Sequence, residues 1–376
     1  MTHTISPSAA PRWRFFDAHC DTVMRTYDDG EFDFLAGRGR AHADLPRLLA
    51  AGHCVQLFAV FAPRSYYPDR DLAAFAEEII GRIAGWVAGS EGRLRLATSA
   101  ADIRQACHSR GTLYALLGLE GADPLEGRAD NLARFHRLGV RSLIPAWSDN
   151  EFSGSSMGAG GPLTAEGIRL IELAEELRVM VDVSHASDAA FDQIRRITKR
   201  PFVASHSNCR AISPSPRNLT DEQIRGLADR GGVMGINLSA DFLAADYLAQ
   251  WNAIARPAYA AAAQVADPSP LTPQTWGERE AQKRIREAVR EKLRALPLPP
   301  AEWIARHVRH AIQVGGEDCI GLGGDLDGIL TMPAGLTGAE SYPAIADLLL
   351  AAGLTSDQVE KVCWRNMARV YSEVLG

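Results

Sequence analysis

The sequence predicts an α/β protein in which eight parallel strands and their helices form a (β/α)8 TIM-type barrel. Eight short apolar runs, rich in Val, Ile, Leu and Phe, are spread along the 376 residues. Runs of this kind are typical of strands buried on both faces, and such strands are mostly parallel. Amphipathic stretches with helical spacing lie between most of the runs, for example at 71–88 and 165–178. Repeated alternation of strand and helix is typical of this barrel.

The predicted strands are, in chain order, 15–21, 54–62, 114–120, 140–147, 179–185, 202–206, 232–238 and 319–325. The Gly- and Ser-rich connection 147–162 follows the fourth strand, so we expect it over the barrel mouth. Residues from about 239 to 318 are predicted to form a helical insertion between strands 7 and 8 that covers part of the site. The chain is thus expected to contain a flexible N-terminal segment, 1–14, and a single barrel domain, 15–376. Residues 220–223, Thr-Asp-Glu-Gln, are a capping box that predicts a helix start.

Composition excludes several classes of protein. The net charge of −6 is unlike the excess of basic residues that is typical of nucleic-acid-binding proteins. No apolar run is long enough to cross a bilayer, so no membrane partner is expected. The six cysteines are scattered without a C-x-x-C pair, and the N-terminal residues lack the apolar core of a signal peptide. A cytoplasmic protein is the expectation.

Side chains that commonly bind metals occupy the ends of five predicted strands, where barrels of this kind place their active sites. They are His19, Asp21, Glu120, His185, His206 and Asp325. Three imidazoles and three carboxylates at one rim would be costly to bury without a cation. A pair of divalent metals supplies that charge, and this ligand set suits Zn²⁺, with Mn²⁺, Co²⁺ or Fe²⁺ as alternatives. Two metals on one rim serve hydrolysis.

The bridging group between the two metals is predicted to be a carboxylate. The sequence contains only four lysines, and none lies at a predicted strand end, which excludes a carboxylated lysine. Glu120 is the available carboxylate. Asp325, on the last strand, is the candidate for moving the proton during catalysis.

In this set of motifs the chain resembles the membrane (renal-type) dipeptidase family, peptidase family M19 of the amidohydrolase superfamily. The matching motifs are DAHCD at 17–21, GLEG at 118–121, DVSH at 182–185, SHS at 205–207, RNLTDE at 217–222 and GGDLDG at 323–328. They occur in the family's order and extend over about residues 15–372. The resemblance implies a binuclear metallo-dipeptidase on a barrel, in which a metal-bridging hydroxide hydrolyses free L-Xaa-L-Xaa and L-Xaa-D-Xaa dipeptides.

The resemblance also implies the residue roles. His19 and Asp21 would bind one zinc ion, His185 and His206 the other, and Glu120 both. Asp325 would contact the substrate and carry the proton from the bridging water to the leaving amine. Arg217 would bind the substrate's free carboxylate, a role that its planar guanidinium fork suits.

One position departs from the family pattern. Its better-known members have a His at the end of the fourth strand, where this chain has Trp147. An indole N–H can donate a hydrogen bond, but it cannot carry charge or a proton. Trp147 and the nearby Asn150 are the predicted substrate contacts here, and substrate range is what the departure affects. Phe242, after the seventh strand, is predicted to be a wall of the substrate pocket, with a core aromatic as the alternative.

Two alternatives remain at this stage. One is another hydrolase of the superfamily, acting on N-acyl amino acids, lactams or lactones. The other is a catalytically inert metal-binding scaffold. A homodimer is the default expectation for the assembly.

Overall fold

The fold is built around a sheet of nine strands, seen in a computed structural model that describes residues 11–262 and 280–376. The strands are β1 (Phe15–Cys20), β2 (His53–Phe61), β3 (Leu94–Leu96), β4 (Leu113–Glu120), β5 (Val140–Ile144), β6 (Met180–Val181), β7 (Val203–Ala204), β8 (Val233–Ile236) and β9 (Ile320–Leu322).

The strands lie in the order β6-β5-β4-β2-β1-β9-β8-β7, and β3 pairs with β4 outside this path. Each ladder between them is parallel. The two ends of the order, β6 and β7, meet through the bridge between Asp182 and Val203. Eight parallel strands therefore form a nearly closed, TIM-like barrel, and the predicted α/β barrel class is confirmed.

Several strands are shorter than predicted. β5 ends at Ile144 because the next residue, Pro145, has no N–H to donate. β6 and β7 contain two residues each. Beyond them, the N–H groups of Ser184 and Ser205 donate to the side chain of Asp182 instead of to carbonyls. β3 was not predicted, because three residues are too few to show a pattern.

The α-helices of the described residues are α1 (Arg25–Asp28), α2 (Leu45–Ala51), α3 (Leu72–Gly89), α4 (Ala100–His108), α5 (Leu132–Arg137), α6 (Ala165–Glu176), α7 (Asp188–Ile197), α8 (Asp221–Asp229), α9 (Ala240–Leu243), α10 (Ala245–Ala262), α11 (Glu280–Arg294), α12 (Glu302–Gly315), α13 (Tyr342–Ala351), α14 (Ser356–Glu360) and α15 (Asn366–Leu375). Short 3-10 turns occur at Thr22–Met24, Asp123–Leu125, Ala129–Asn131 and Ala339–Ser341, and a π turn at Lys361–Arg365 joins α14 to α15.

Local sequence explains where the predicted helices begin. The side chains of Asp71 and Thr164 accept hydrogen bonds from N–H groups in the first turns of α3 and α6. Thr220 and Gln223 form the predicted capping box at the start of α8. The predicted helices at 71–88, 165–178 and after 220 are confirmed.

The barrel interior is filled from several strands at once. Phe16, Val55, Tyr114 and Val233 belong to one apolar cluster, together with side chains of α15. Residues of opposite strands can meet only across the barrel axis, so this cluster is the interior. The ring of Tyr371 on α15 lies 5.2 Å from that of Phe16, so the C-terminal helix closes one end of the barrel.

The long connection between β8 and β9 contains α9 to α12. Residues 263–279 in its centre lie outside the described residues, and the placement of an insertion over the site stays a prediction. Most of the predicted flexible segment, 1–10 of 1–14, lies outside them too. Trp13 is described and buried, and its Nε1 donates to Asp347 Oδ1 at 3.3 Å. The predicted domain limits stay predictions.

Candidate metal centre

The predicted ligand residues converge at one end of the barrel. His19 lies on β1 with Asp21 just beyond it, Glu120 is the last residue of β4, and His185, His206 and Asp325 follow β6, β7 and β9. Parallel strands present their carboxyl ends on one rim, which brings these residues together from distant parts of the chain. All except His185 are buried to less than one-tenth exposure, and the His185 side chain is 12% exposed.

The carboxylate of Glu120 stands at the centre. Its Oε2 lies 3.3 Å from His19 Nε2. Its Oε1 faces the other side, 3.1 Å from His185 Nε2 and 3.8 Å from His206 Nε2. Each oxygen therefore faces its own group of histidines, and the two groups adjoin, because the ring centroids of His19 and His206 lie 3.8 Å apart.

Each group contains further ligand atoms. On the first side, ligand-type atoms of His19, Asp21 and Asp325 lie within 4.8 Å of one another. On the second side, the Nε2 atoms of His185 and His206 lie 2.9 Å apart. The first group is rich in carboxylate and the second in imidazole.

The donor set fits a cation. Both ring nitrogens of His19 and Oε2 of Glu120 are buried, and no residue in the described ranges hydrogen-bonds to them. Polar atoms buried in this way cost free energy unless something satisfies them. Imidazole nitrogens and carboxylate oxygens at one point are typical ligands of Zn²⁺ and similar ions. The protein therefore has a buried His/Glu metal-binding group.

The electrostatics of these residues indicate the same need for positive charge. Burial, together with Glu120, raises the pKa of Asp21 to about 6. Burial lowers the pKa of His185 and His206 well below the usual value, and the charge of His19 acts in the same direction. Burial acts to lower the pKa of His19 too, but Glu120 and Asp21 raise it well above its usual value, so of the three only His185 and His206 are held neutral, the state that a metal ligand requires.

Asp325 is held from two sides. Its Oδ2 accepts a hydrogen bond from Asn237 Nδ2 at 2.8 Å, and its N–H donates to the carbonyl of His19 at 3.1 Å. Burial raises its pKa to about 7 against the opposing effect of His19, and Asp21 and Glu120 add to the rise. Asp325 (φ 56°) and His185 (φ 69°) both have left-handed backbone, an uncommon conformation that clusters at functional sites.

Arg217 lies beside the second group. It is 4% exposed, and its Nη2 donates to the carbonyl of His206 at 3.1 Å. Its Nε is buried and has no hydrogen-bond acceptor within the described part of the chain. Phe242 covers the guanidinium, with 5.6 Å between Cζ and the ring centroid. A buried cation with an unused donor can receive an anionic ligand.

Trp147 belongs to an aromatic wall next to His185. Its ring lies 5.2 Å from Phe61, 5.3 Å from Tyr66 and 6.0 Å from His185. All three wall residues are partly exposed, so the wall borders the mouth. Sequence reasoning found Trp147 but missed Phe61 and Tyr66, because nothing in the sequence distinguishes an aromatic side chain at the mouth from one in the core.

The predicted substrate role of Asn150 stays a prediction. Its Nδ2 donates to Asp123 Oδ2 and to the carbonyl of Pro145, and its Oδ1 accepts from the N–H groups of Phe152 and Ser153. Asn150 therefore shapes the loop after β5.

Three polar residues that support the site were also missed. Asn237 orients Asp325, while Asp17 and Asp182 accept backbone N–H groups next to the ligands. Asp17 and Asp182 could have been found from their spacing, because each lies two or three residues before a ligand histidine.

The geometry defines a metal-binding protein built on a TIM-like barrel, and comparison with known proteins identifies its class. A family model, membrane dipeptidase (peptidase family M19), matches residues 10–375. The chain belongs to this family of metallo-dipeptidases, as its motifs predicted.

Relatives and solved structures extend the match over most of the chain. An uncharacterized protein in the pqqA 5' region of Klebsiella pneumoniae is 33% identical over 296 residues, which are 77% of this chain and 92% of the relative. The crystal structure of the dipeptidase AC, a family M19 metallopeptidase, has a TM-score of 0.76 and 28% identity, covering 97% of this chain and 99% of that one. A metallopeptidase from Rhodobacter sphaeroides, liganded with a phosphinate mimic of L-Ala-D-Ala, has a TM-score of 0.75 and 26% identity, covering 96% and 99%.

Helices that could cross a membrane were sought among the described residues, and none has the necessary length and apolar character.

Proposed function

We propose that this protein is a zinc-dependent dipeptidase that hydrolyses free dipeptides at a pair of zinc ions. The observation that carries the proposal is the position of the Glu120 carboxylate between two sets of nitrogen ligands. Its Oε2 lies 3.3 Å from His19 Nε2, while its Oε1 lies 3.1 Å from His185 Nε2. One carboxylate shared in this way supports two cations.

In the proposed site, His19 and Asp21 would hold one ion, His185 and His206 would hold the other, and Glu120 would contribute to both. When bound, the ions would polarise the scissile carbonyl and lower the pKa of an attacking water, chemistry that Mn²⁺, Co²⁺ or Fe²⁺ could also supply.

Asp325 moves the proton in this proposal. Its carboxylate is next to His19 and Asp21, close enough to the proposed metal position to accept a proton from the attacking water and to release it later. Asn237 holds Oδ2, which leaves Oδ1 for the proton. The proton then passes to the leaving amine.

Arg217 binds the substrate's free carboxylate. Its guanidinium is buried beside His206 and keeps an unused Nε donor. A carboxylate held there would place the rest of a dipeptide next to the histidines, with Phe242 packing against the same end. Trp147 and its aromatic neighbours would border the other end of the substrate.

Dipeptides with a D-residue at the second position belong to the proposed substrate range. A relative with 26% identity binds a phosphinate mimic of L-Ala-D-Ala. A cytoplasmic location and a homodimer remain predictions.

A second candidate is hydrolysis of N-acyl amino acids, lactams or lactones. Trp147 favours it, because it stands where better-known family members have a His, and an indole beside His185 cannot carry charge or a proton.

One experiment separates the two candidates. The zinc-loaded protein is assayed with L,L and L,D dipeptides and with the matching N-acetyl amino acids. We expect dipeptides to give the higher kcat/KM. A clear preference for N-acyl substrates would favour the second candidate, and the absence of hydrolysis in both sets would contradict a catalytic role.

A further inference from the structure

At two places in the barrel, between β1 and β9 and between β6 and β7, the neighbouring strands are not paired by a continuous ladder. We call these two places the joins. β2 and β4 pair at every position from Val55 to Phe61, but β1 and β9 share the single ladder pair Asp17–Leu322, followed by one isolated bridge, Cys20–Leu326. β6 and β7 meet only at the bridge Asp182–Val203. The metal-ligand candidates other than Glu120 leave the barrel at these two joins.

An aspartate stands at each join, and the two make the same pattern of bonds. Oδ1 of Asp17 accepts the N–H of His19, two residues later, at 3.2 Å, and the N–H of Gly324 beyond β9 at 2.9 Å. Oδ1 of Asp182 accepts the N–H of Ser184, again two residues later, at 2.9 Å, and the N–H of Ser205 beyond β7 at 3.0 Å. One oxygen thus links two strand ends in each case. We call Asp17 and Asp182 the seam aspartates.

The N–H groups that the two aspartates accept belong to a candidate metal ligand or to residues that directly precede one. His19 is itself a candidate ligand, and Gly324 directly precedes Asp325. Ser184 and Ser205 directly precede His185 and His206. Each seam aspartate therefore fixes the backbone of two strand ends that carry site residues.

Side chains extend each link. The hydroxyl of Ser205 lies 2.8 Å from Nδ1 of His206, which leaves Nε2 to face Glu120. The hydroxyl of Tyr342 donates to Oδ2 of Asp17 at 2.5 Å. Groups that orient a ligand histidine in this way commonly set the affinity of a metal site.

Both seam aspartates are buried. Asp17 is 0% exposed and Asp182 is 1% exposed. No Lys or Arg in the described ranges forms an ion pair with either carboxylate. An ionised carboxylate without a cationic partner is expensive to bury, and a pair of cations nearby lowers that cost.

We propose that the seam aspartates are positioning residues, each of which sets the affinity of one metal position. Asp17 supports the position of His19 and Asp21, and Asp182 supports that of His185 and His206. The two share no donor, so each should affect its own metal position more than the position that shares Glu120 with it. This inference rests on the proposed two-metal site.

The test measures zinc binding rather than turnover. Purified wild-type protein and the variants Asp17→Ala and Asp182→Ala are loaded with Zn²⁺ and dialysed. Zinc per chain is counted by mass spectrometry, and affinities come from competition with a chromophoric chelator. We expect two zinc ions in the wild type and one tightly bound ion in each variant, with the second weakened by at least about tenfold.

The matched control is Asp102→Ala. Oδ2 of Asp102 also accepts two backbone N–H groups, those of Thr98 and Ser99, each at 2.9 Å, but at the start of α4, where there is no ligand. This variant should keep both zinc ions. Asp17→Asn and Asp182→Asn serve if an alanine variant does not fold, and they should recover part of the affinity because an amide oxygen can accept the same N–H groups.

A double variant identifies which position is lost. Adding His206→Ala to Asp182→Ala should remove no further tight zinc, whereas adding His19→Ala should remove the remaining ion. Two zinc ions of wild-type affinity in the folded single variants, or equal loss of both ions in each, would overturn the inference. Failure of the proposed function looks different: the wild type binds two zinc ions but hydrolyses no dipeptide. A wild type that binds no zinc contradicts both.

Discussion

The buried histidines of the barrel mouth differ from those of the protein core in what surrounds them. His206 and His307 are both at most 1% exposed. The ring of His307 is satisfied by the backbone, because Nδ1 accepts from Cys209 N at 3.0 Å and Nε2 lies 2.8 Å from the carbonyl of Leu243. The ring of His206 instead directs Nε2 toward Glu120 and His185.

This difference shows that burial alone does not identify a histidine as a metal ligand. On folding, a core histidine replaces its hydrogen bonds to water with hydrogen bonds to main-chain groups, so it stabilises the fold without binding any ligand. A mouth histidine directs one ring nitrogen toward the site, where it can bind a ligand that is not part of the chain. His53 is a third case, because it is buried and neither of its ring nitrogens has a hydrogen-bond partner in the described part of the chain.

The largest expected effects come from replacing one mouth histidine and one core histidine with alanine. His206→Ala should lower kcat/KM for dipeptides by at least about 10³-fold through metal loss, with little change in the free energy of unfolding of the metal-free protein. His307→Ala should lower that free energy by about 2–4 kcal/mol while both metals remain. Activity, metal content and urea unfolding of both variants test this. Loss of metal in His307→Ala would remove the distinction.

Asp325→Asn should lower kcat by about 10²–10³-fold while the metal content stays unchanged, because an amide cannot transfer the proton. The amide oxygen can still accept the hydrogen bond from Asn237. The control is Asp327→Asn, two residues along the chain and also in left-handed backbone, whose carboxylate holds Thr22 and the main chain of His42. Similar losses of kcat in the two variants would point to a structural role for Asp325.

Arg217→Ala should raise KM for free dipeptides by about 10–100-fold, since a charge-assisted contact to the substrate carboxylate is lost. Carboxyl-amidated dipeptides should be affected much less. Arg210→Ala is the matched control, because that guanidinium lies on the same segment and pairs with Asp188 at 2.7 and 2.8 Å. An equal rise in KM for amidated substrates would contradict carboxylate recognition.

The smallest expected effect concerns His53 and acid stability. Burial lowers the pKa of His53 to about 3 from an ordinary value of 6.5, so below 6.5 the unfolded chain binds a proton that the folded protein excludes. Folding stability should therefore fall by about 1.4 kcal/mol for each pH unit below 6.5 on account of this residue, until the pH approaches 3. His53→Phe should flatten the decline relative to wild type in urea midpoints measured at pH about 7 and about 5. Identical slopes would show that His53 is protonated in the folded protein.

Much of the fold could be predicted from local patterns. Apolar runs placed all eight barrel strands, and the capping box at Thr220 marked the start of α8, because strand burial and helix capping depend on neighbouring residues. The ends of β6 and β7 could not be predicted in the same way. Their N–H groups leave the ladder for the carboxylate of Asp182, and that choice depends on a neighbouring strand.

The sequence by itself determined which residues could serve as ligands, because the rim of a parallel barrel collects residues at strand ends. His19, Glu120, His185 and His206, which the structure brings together, were all predicted by that rule. Only the tertiary structure decided that the two oxygens of Glu120 face different histidines, and that Asn237, Asp17 and Asp182 support the site. These are contacts between chain segments far apart in sequence. Their distances depend on how the barrel closes, which no single segment encodes.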